Sequence, residues 1–355
     1  MSIAIFLLTL ILLTFATANF LTIRRAKNST LITDSISILI PVRNEAENVA
    51  DLVESLINQK NLSALEIIFI DDSSEDQTRS MLTQAKSAGA NIEIIIAPSL
   101  AQGWLGKPWA LQHGLARARG EIIVTLDADV RISPTALSQS VAMLGKRDFI
   151  SPYPRQIAVS FAERLVQPLL QWSWMTTVPL RLAERSSLTS LAVANGQLFL
   201  VKKSALAKID GFTPIAGQVL DDIELARALI KSGFHGGVAD GSNLAETRMY
   251  KNFAEIKAGY GKSLWKAFAN PLGALFAALF IFATGILPVI LWLMGDTFGL
   301  LAYIAMVISR MISAKSSRGR VVDSFLHPIS SLVIIYLIFY SWRMRGQVKW
   351  KGRTV

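Results

Sequence analysis

Residues 121–130 read Glu-Ile-Ile-Val-Thr-Leu-Asp-Ala-Asp-Val (EIIVTLDADV). The apolar run Ile122–Leu126 predicts a buried strand that ends abruptly in Asp127-Ala128-Asp129. Side chains alternate along a strand, so carboxylates at i and i+2 point the same way. Two anions side by side at the end of a buried strand repel each other and resist desolvation. A divalent cation relieves both effects. An all-oxygen set suits Mg2+ or Mn2+, which usually share their shell with substrate phosphates. A plainer reading also fits these residues: the pair caps a following helix, opened near Ser133-Pro134.

Upstream, the chain alternates strand-like and helix-like stretches, as an α/β domain does. Ile36–Ile40 is the first expected strand, ending at Pro41-Val42-Arg43-Asn44-Glu45, with a helix to about Asn58. Leu65–Ile70 is the second, ending in Asp71-Asp72-Ser73-Ser74-Glu75-Asp76, and Asn91–Ile96 is the third. Ligands of open α/β sheets lie beyond the carboxyl ends of the strands. Helix capping accounts for one Asp or Asn per junction, not for four acids in the six residues 71–76. The chain has no GxGxxG after its first strand and no GxxxxGK[ST], which sets aside a nicotinamide Rossmann site and a P-loop. Gly103-Trp104-Leu105-Gly106-Lys107-Pro108 precedes another expected helix. Its glycines and lysine suit an anion, and equally an ordinary turn with a surface lysine.

Composition adds a membrane. The 355 residues are 52% hydrophobic and 17% charged, with mean hydropathy +0.41, greasier than an ordinary soluble enzyme. No cysteine is present, so disulfides, thiolate metal sites and cysteine nucleophiles are excluded. Residues 1–23 are uncharged and about 35 Å long as a helix, enough to cross a bilayer. Arg24, Arg25 and Lys27 follow, which places the N-terminus outside and the next domain in the cytoplasm. A cleaved leader is disfavoured because no basic residue precedes the apolar run. Pro271–Gly295 and Ser324–Trp342 are further candidates to span, whereas Thr297–Ser309 looks short before Arg310. Three crossings would carry the basic tail (Arg343, Arg345, Lys349, Lys351, Arg353) outside, so one segment is expected to be re-entrant or interfacial. Ile157–Ser187, expected to break at Pro168 and Pro179, and Asn252–Ala269 read either as interfacial helices or as inserts whose tryptophans simply pack in the core. The net charge of +10 then points to anionic lipid and phosphorylated substrates, not nucleic acid. The three histidines are scattered and make no metal site.

PVRNE after strand one, DDSSED after strand two, GWLGKPWAL and the DAD of residues 127–129 together resemble family 2 glycosyltransferases of the GT-A fold. The resemblance covers residues 35–250. Val219-Leu220-Asp221-Asp222-Ile223-Glu224 resembles that family's acidic motif, and Ala194-Asn195-Gly196-Gln197 its acceptor-side turn. Arg248-Met249-Tyr250, Gly259–Lys262 and Trp350–Arg353 are similar to the membrane-bound branch acting on carotenoids and related lipids, such as the chlorobactene and diaponeurosporenoate glycosyltransferases. The Q/RxxRW string of processive polysaccharide synthases is missing.

The resemblance implies an α/β, Rossmann-like mixed sheet of GT-A type at residues 30–250, anchored by residues 1–23. Residues 251–270 would be an interfacial helix, 271–342 membrane segments and 343–355 a basic tail. It implies an inner-membrane, multi-pass enzyme with a cytoplasmic catalytic domain. Its donor would be a nucleotide-sugar, UDP-linked by expectation, and its acceptor a membrane lipid. Pro41, Asn44, Glu45, Asp72, Lys107, Asp127 and Arg248 would bind the donor. Asp129 with Asp127 would hold Mg2+ or Mn2+, and Gln197 and Asp221 would face the acceptor. Asp222 would be the general base of an inverting displacement. A processive synthase and a non-catalytic membrane scaffold are the other readings.

Overall fold

The computed structural model describes residues 1–27, 31–268, 270–347, 349–350 and 353–354. Of the expected segments, Thr30, Ala269, Val348, Lys351, Gly352 and Val355 lie outside these residues. The chain divides into an α/β unit, Ile23–Arg155 with Arg181–Thr247, and a helical unit, Met1–Thr22 with Gln156–Leu180 and Arg248–Val355.

The α/β unit is built on a seven-stranded sheet. Its strands are β1 (Ile32–Val42), β2 (Leu62–Asp71), β3 (Glu93–Ile96), β4 (Ile122–Leu126), β6 (Phe149–Tyr153), β8 (Leu198–Lys202) and β9 (Gly236–Asp240). The order is β3-β2-β1-β4-β8-β6-β9. β1 to β4 run parallel, and β8 is antiparallel to both neighbours. Short strands β5 (Val130–Ile132) and β10 (Ala245–Thr247) pair beside it, in a small sheet with β7 (Arg155–Gln156). Ile38 and Ile40 face one side of the sheet, where α2 (Ala46–Ile57), α3 (Thr78–Ser87) and α5 (Ala136–Leu144) bring Leu52, Leu82 and Leu137. Leu39 faces the other side, toward Leu111 of α4 (Gly106–Arg117), Leu206 of α8 (Lys203–Lys208) and Leu229 of α9 (Asp221–Lys231). Burial on both faces is why these strands read as unbroken apolar runs. Truncating the fully buried Phe69 to alanine would cost about 3–5 kcal/mol.

The register places Val42 beside Asp71 and Leu39 beside Thr125. The carboxyl ends of β1, β2 and β4 therefore share one edge. The first two strands begin earlier than their apolar runs suggested. The antiparallel β8 ends in Lys202, with no acidic cluster to single it out.

Among the described residues, the helical unit contains four helices long and apolar enough to cross a membrane: Ser2–Thr22, Pro271–Leu293, Thr297–Ser316 and Val321–Arg343. The first is α1. The second comprises α11 (Pro271–Ile281), a π turn at Phe282–Ile286 and α12 (Leu287–Leu293). Pro288 donates no backbone hydrogen bond, and its ring crowds the preceding turn, which accounts for the irregularity there. The third, α13 (Thr297–Ser316), does not stop before Arg310. It carries that side chain inside the unit, 2% exposed. The fourth ends in α14 (His327–Arg343).

Two expectations for residues 157–187 need correction. Helix α6 (Phe161–Thr177) runs through Pro168 unbroken, started by a capping box between Ser160 and Glu163. Trp172 and Trp174 are buried, and Trp172 donates from Nε1 to Ser309 Oγ at 2.9 Å. Packing within the unit overrides the proline and the interfacial reading of these rings. Residues Phe253–Ala267 form α10, capped by the Asn252 side chain.

The helix directions can be followed from contacts. Phe6 meets Phe298 and Trp292 stacks on Tyr303, so α1 runs with α13, and α12 runs against it. Pro271 and Trp342 line one cavity, and Gly285 lies against Ser331, so α14 runs against α11–α12. Consecutive helices α13 and α14 therefore point the same way. The segment between them returns alongside α13, where Tyr303 Oη donates to the Phe325 carbonyl at 3.1 Å.

Candidate active site

Three loops at the common strand edge and the start of α9 carry the candidate groups. After β1, Asn44 adopts a left-handed backbone (φ 53) that asparagine tolerates better than most residues. Its N–H donates to Ser74 Oγ at 3.2 Å, and its Oδ1 accepts from the Glu75 N–H at 2.8 Å. The loops after β1 and β2 are thus stitched together. Pro41 lies opposite Ile70, one residue before the paired part of β1 ends at Val42. Glu45 opens α2 and accepts from Asn48 Nδ2 at 2.8 Å. Asp71 is clasped by Arg79 at 2.6 Å, while Asp72 is 5% exposed and donates its N–H to the Val42 carbonyl.

Lys107, in the first turn of α4, occupies the centre. Its Nζ lies 2.8 Å from Asp127 Oδ1 and 3.2 Å from Asp221 Oδ2. Burial works against its charge, but Asp127 and Asp221 raise its pKa well above the ordinary lysine value. The Asp127 N–H donates to the Gln197 carbonyl, and Gln197 itself is 4% exposed. Asp129 accepts from Thr247 Oγ1 at 3.1 Å. Burial and the charge of Asp127 push the Asp129 carboxyl up to about 6. Neither aspartate caps the next helix, which begins at Ala136 after Thr135.

Asp221 and Asp222 form the first turn of α9, where the macrodipole favours negative charge. Asp222 Oδ2 accepts from the Gly196 N–H at 2.9 Å, and Oδ1 accepts from the Ile223 N–H at 2.8 Å. Burial and the charge of Asp221 nevertheless push Asp222 up to about 6, against the pull of Lys107. The structure thus brings Lys107, Asp127, Asp221 and Asp222 together, with Asp129 and Glu45 within electrostatic reach of Asp127. Arg248 belongs to the helical unit, where Glu163 grips it at 2.9 and 3.1 Å. Burial opposes ionisation of Glu163, yet hydrogen bonds from Arg248 and Ser160 hold its carboxyl at about 2.

Several neighbours were not foreseen. Tyr153 is buried where the charge of Asp222 reaches it, and burial followed by that charge raises its hydroxyl pKa. Thr247 comes from a three-residue strand with no sequence signal. Arg131 follows DADV directly and hydrogen-bonds the Asn48 carbonyl and Oδ1, tying β5 to α2. That adjacency was the one clue available.

Among the described residues no three carboxylate or imidazole groups form a closed metal cage. Asp127 and Asp129 are instead an open two-carboxylate set, mutually repelling and partly desolvated. That donor set fits a hard divalent ion whose remaining ligands come from a diphosphate.

A mixed α/β sheet with acidic clusters at its strand ends and a lysine among them defines a glycosyltransferase of GT-A type. Residues 37–210 match the model of the family described as Glycosyl transferase family 2. The chain is 25% identical over 351 residues to a 4,4'-diaponeurosporenoate glycosyltransferase of Staphylococcus haemolyticus, covering 90% of this chain and 88% of that protein. It is 23% identical over 357 residues to the protein of that name from Staphylococcus aureus, covering 93% and 90%. Among solved structures, a mannosyltransferase from Pyrobaculum calidifontis in complex with GDP-Man and Mn2+ shares the fold. It aligns with TM-score 0.54 and 15% identity over 99% of this chain and 100% of that one. Residues 37–210 thus carry the likeness to glycosyltransferase family 2, and the protein is a glycosyltransferase.

Proposed function

We propose that the protein transfers a sugar, with inversion, from a nucleotide-sugar to a hydroxyl or carboxyl group of a membrane lipid of carotenoid or related isoprenoid type. The observation that carries this reading is Lys107 bridged between Asp127 and Asp221, one residue from Asp222. A cation at the donor side and a carboxylate of raised pKa thereby share one crevice. Asp222 is the base: its carboxylate takes the acceptor hydroxyl proton as that oxygen attacks the anomeric carbon opposite the leaving diphosphate. Gly196 N–H orients that carboxylate. Lys107 neutralises charge on the donor side, while Pro41, Asn44, Glu45 and Asp72 bind the nucleoside. Gln197 and Asp221 face the acceptor. Asp127 and Asp129 would hold Mg2+ or Mn2+, which supplies Lewis-acid stabilisation of the departing diphosphate when bound.

The names of the staphylococcal relatives support a carotenoid acid as acceptor, and the four apolar helices support an integral membrane protein whose cytoplasmic catalytic domain is the α/β unit, the expected 30–250 without the 156–180 and 248–250 stretches that belong to the helical unit. The decisive experiment offers detergent-solubilised protein labelled UDP-glucose and GDP-mannose with Mn2+, together with a carotenoid carboxylic acid or a hydroxylated isoprenoid. A labelled lipid glycoside of inverted configuration is expected. Retention of configuration, or hydrolysis with no lipid product, would overturn the reading.

A further inference from the structure

Between α11 and α14 lies a cavity of about 600 Å3, lined by none of the residues given a catalytic or binding role above. Ala274 and Leu275 form one wall, Phe339 and Trp342 the other, and Arg343 and Arg345 stand at its end. Leu275 and Phe339 are 45% and 55% exposed, and both belong to helices able to span a bilayer. Trp342 keeps its indole N–H buried without a hydrogen-bond partner among the described residues. The Arg345 guanidinium lies over the Trp342 ring at 5.5 Å, and Trp265, with Lys266 over its face at 4.4 Å, packs edge-on against it. Apolar walls, an unused donor and a cationic mouth are united at one end of two membrane helices.

We infer that this cavity binds one anionic diacyl phospholipid, its acyl chain along Leu275 and Phe339 and its phosphate at Arg343 and Arg345. The volume suits part of a lipid, not a whole one, so the remaining chain continues along the exposed helix faces. Tryptophan with arginine is the side-chain pair expected where a helix meets headgroups. Basic residues at this level favour the acidic leaflet. The site differs in chemistry from an acceptor site: its charges select a headgroup, and among the described residues no carboxylate lines it.

The test is native mass spectrometry of the full-length protein in nonionic detergent, titrated with phosphatidylglycerol or phosphatidylcholine. The wild type should retain one phosphatidylglycerol with at least about tenfold preference over phosphatidylcholine, since two arginines meet the phosphate. Arg343→Gln with Arg345→Gln should lose that preference. Leu275→Trp fills the cavity with every charge in place and should lose the bound lipid; Phe339→Trp serves if that variant fails to fold. Lys349→Gln with Lys351→Gln removes equal charge from the tail and should leave the preference unchanged. Equal retention of the two lipids overturns the proposal. So does undiminished binding by folded cavity-filled variants, or an equal loss in the tail variant, which would reduce the effect to general attraction by basic residues.

Discussion

Gly196 donates its backbone N–H to Asp222 at 2.9 Å and presents its Cα side to Lys107. A side chain there would place Cβ 3.0 Å from Lys107 Nζ and 3.3 Å from the Cβ of Asp222. Lysine can swing away from such a contact, but only by leaving Asp127 or Asp221. Gly196→Ala should therefore cut kcat about 10–100-fold, the usual scale for a displaced electrostatic group, with little change in Tm. Steady-state kinetics beside a thermal melt check this. Unchanged kcat would mean that the Lys107 bridge is not needed for turnover.

The raised pKa of Asp222 gives a pH signature. A base must be ionised to act, so kcat/KM toward a hydroxyl acceptor should rise with pH through an apparent pKa of about 6 and level off above it. Asp222→Asn should lower turnover on a hydroxyl acceptor by about 10²–10⁴-fold while donor affinity persists. With a carboxylate acceptor, already ionised at neutral pH, the same variant should retain most of its rate. The contrast between acceptors identifies the base directly.

Asp129 predicts a trade between stability and function. Its folded pKa of about 6 lies above the ordinary aspartate value, so above pH 6 the ionised group destabilises the fold. The penalty fades as pH falls and is gone below about 4, where the unfolded chain binds the proton equally well. Asp129→Asn should therefore raise Tm most above pH 6 and not at all near pH 4. With UDP present, Mn2+ should raise the Tm of the wild type but not of this variant. A variant less stable than wild type at pH 8 would contradict the proposed repulsion with Asp127.

How much of this was legible in the sequence depends on the kind of signal. The strand ends at Asp71-Asp72 and Asp127–Asp129 stood out because acids interrupt apolar runs, and the parallel register then brought those ends to one edge. Lys107 and Asp222 drew attention only as members of an ordered set of motifs. Neither spacing nor periodicity showed that one lysine would bridge Asp127 and Asp221, since that contact joins three elements far apart in the chain. Thr247, Tyr153 and the continuous helix through Pro168 were hidden for the same reason: long-range packing decides them. Arg310 misled in the opposite direction. A charge normally ends an apolar span, but this one turns into the helical unit and the helix continues to Ser316.

That buried arginine is itself testable. Arg310 Nη1 meets no hydrogen-bond partner among the described residues, and Asp323 is already gripped through both oxygens by Arg164. A buried guanidinium with an incomplete set of hydrogen bonds adds little stability, and replacing buried charges by apolar side chains of similar volume is often neutral or favourable. Arg310→Met should hold or raise the Tm of the detergent-solubilised protein. Arg164→Met should lower it by several degrees, because it removes both close hydrogen bonds to Asp323, 4% exposed, and leaves it the more distant Arg320 at 3.7 Å. A large loss in Arg310→Met would show that the guanidinium has a partner which the helices alone do not provide.

The last prediction concerns how the chain meets the membrane. Since α13 and α14 run in the same direction, residues 317–326 must travel back along α13 before α14 begins. Four full crossings would require α14 to start where α13 ends. The contact between Tyr303 and Phe325 instead places the start of α14 near the second turn of α13, and Trp342 lies beside Pro271. The segment 321–343 therefore should enter and leave by one face, and the loop at Ser317 and the tail at Gln347 should share a side. This arrangement keeps Lys315, Arg318, Arg320, Arg343 and Arg345 together, as the positive-inside rule requires. The chain has no cysteine, so single replacements report cleanly. Ser317→Cys and Gln347→Cys should be shielded from an impermeant maleimide applied to intact cells and react in inverted vesicles. Met294→Cys, at a position 78% exposed beyond α12, should do the reverse. Labelling of residue 347 from the same side as residue 294 would mean that 321–343 crosses completely.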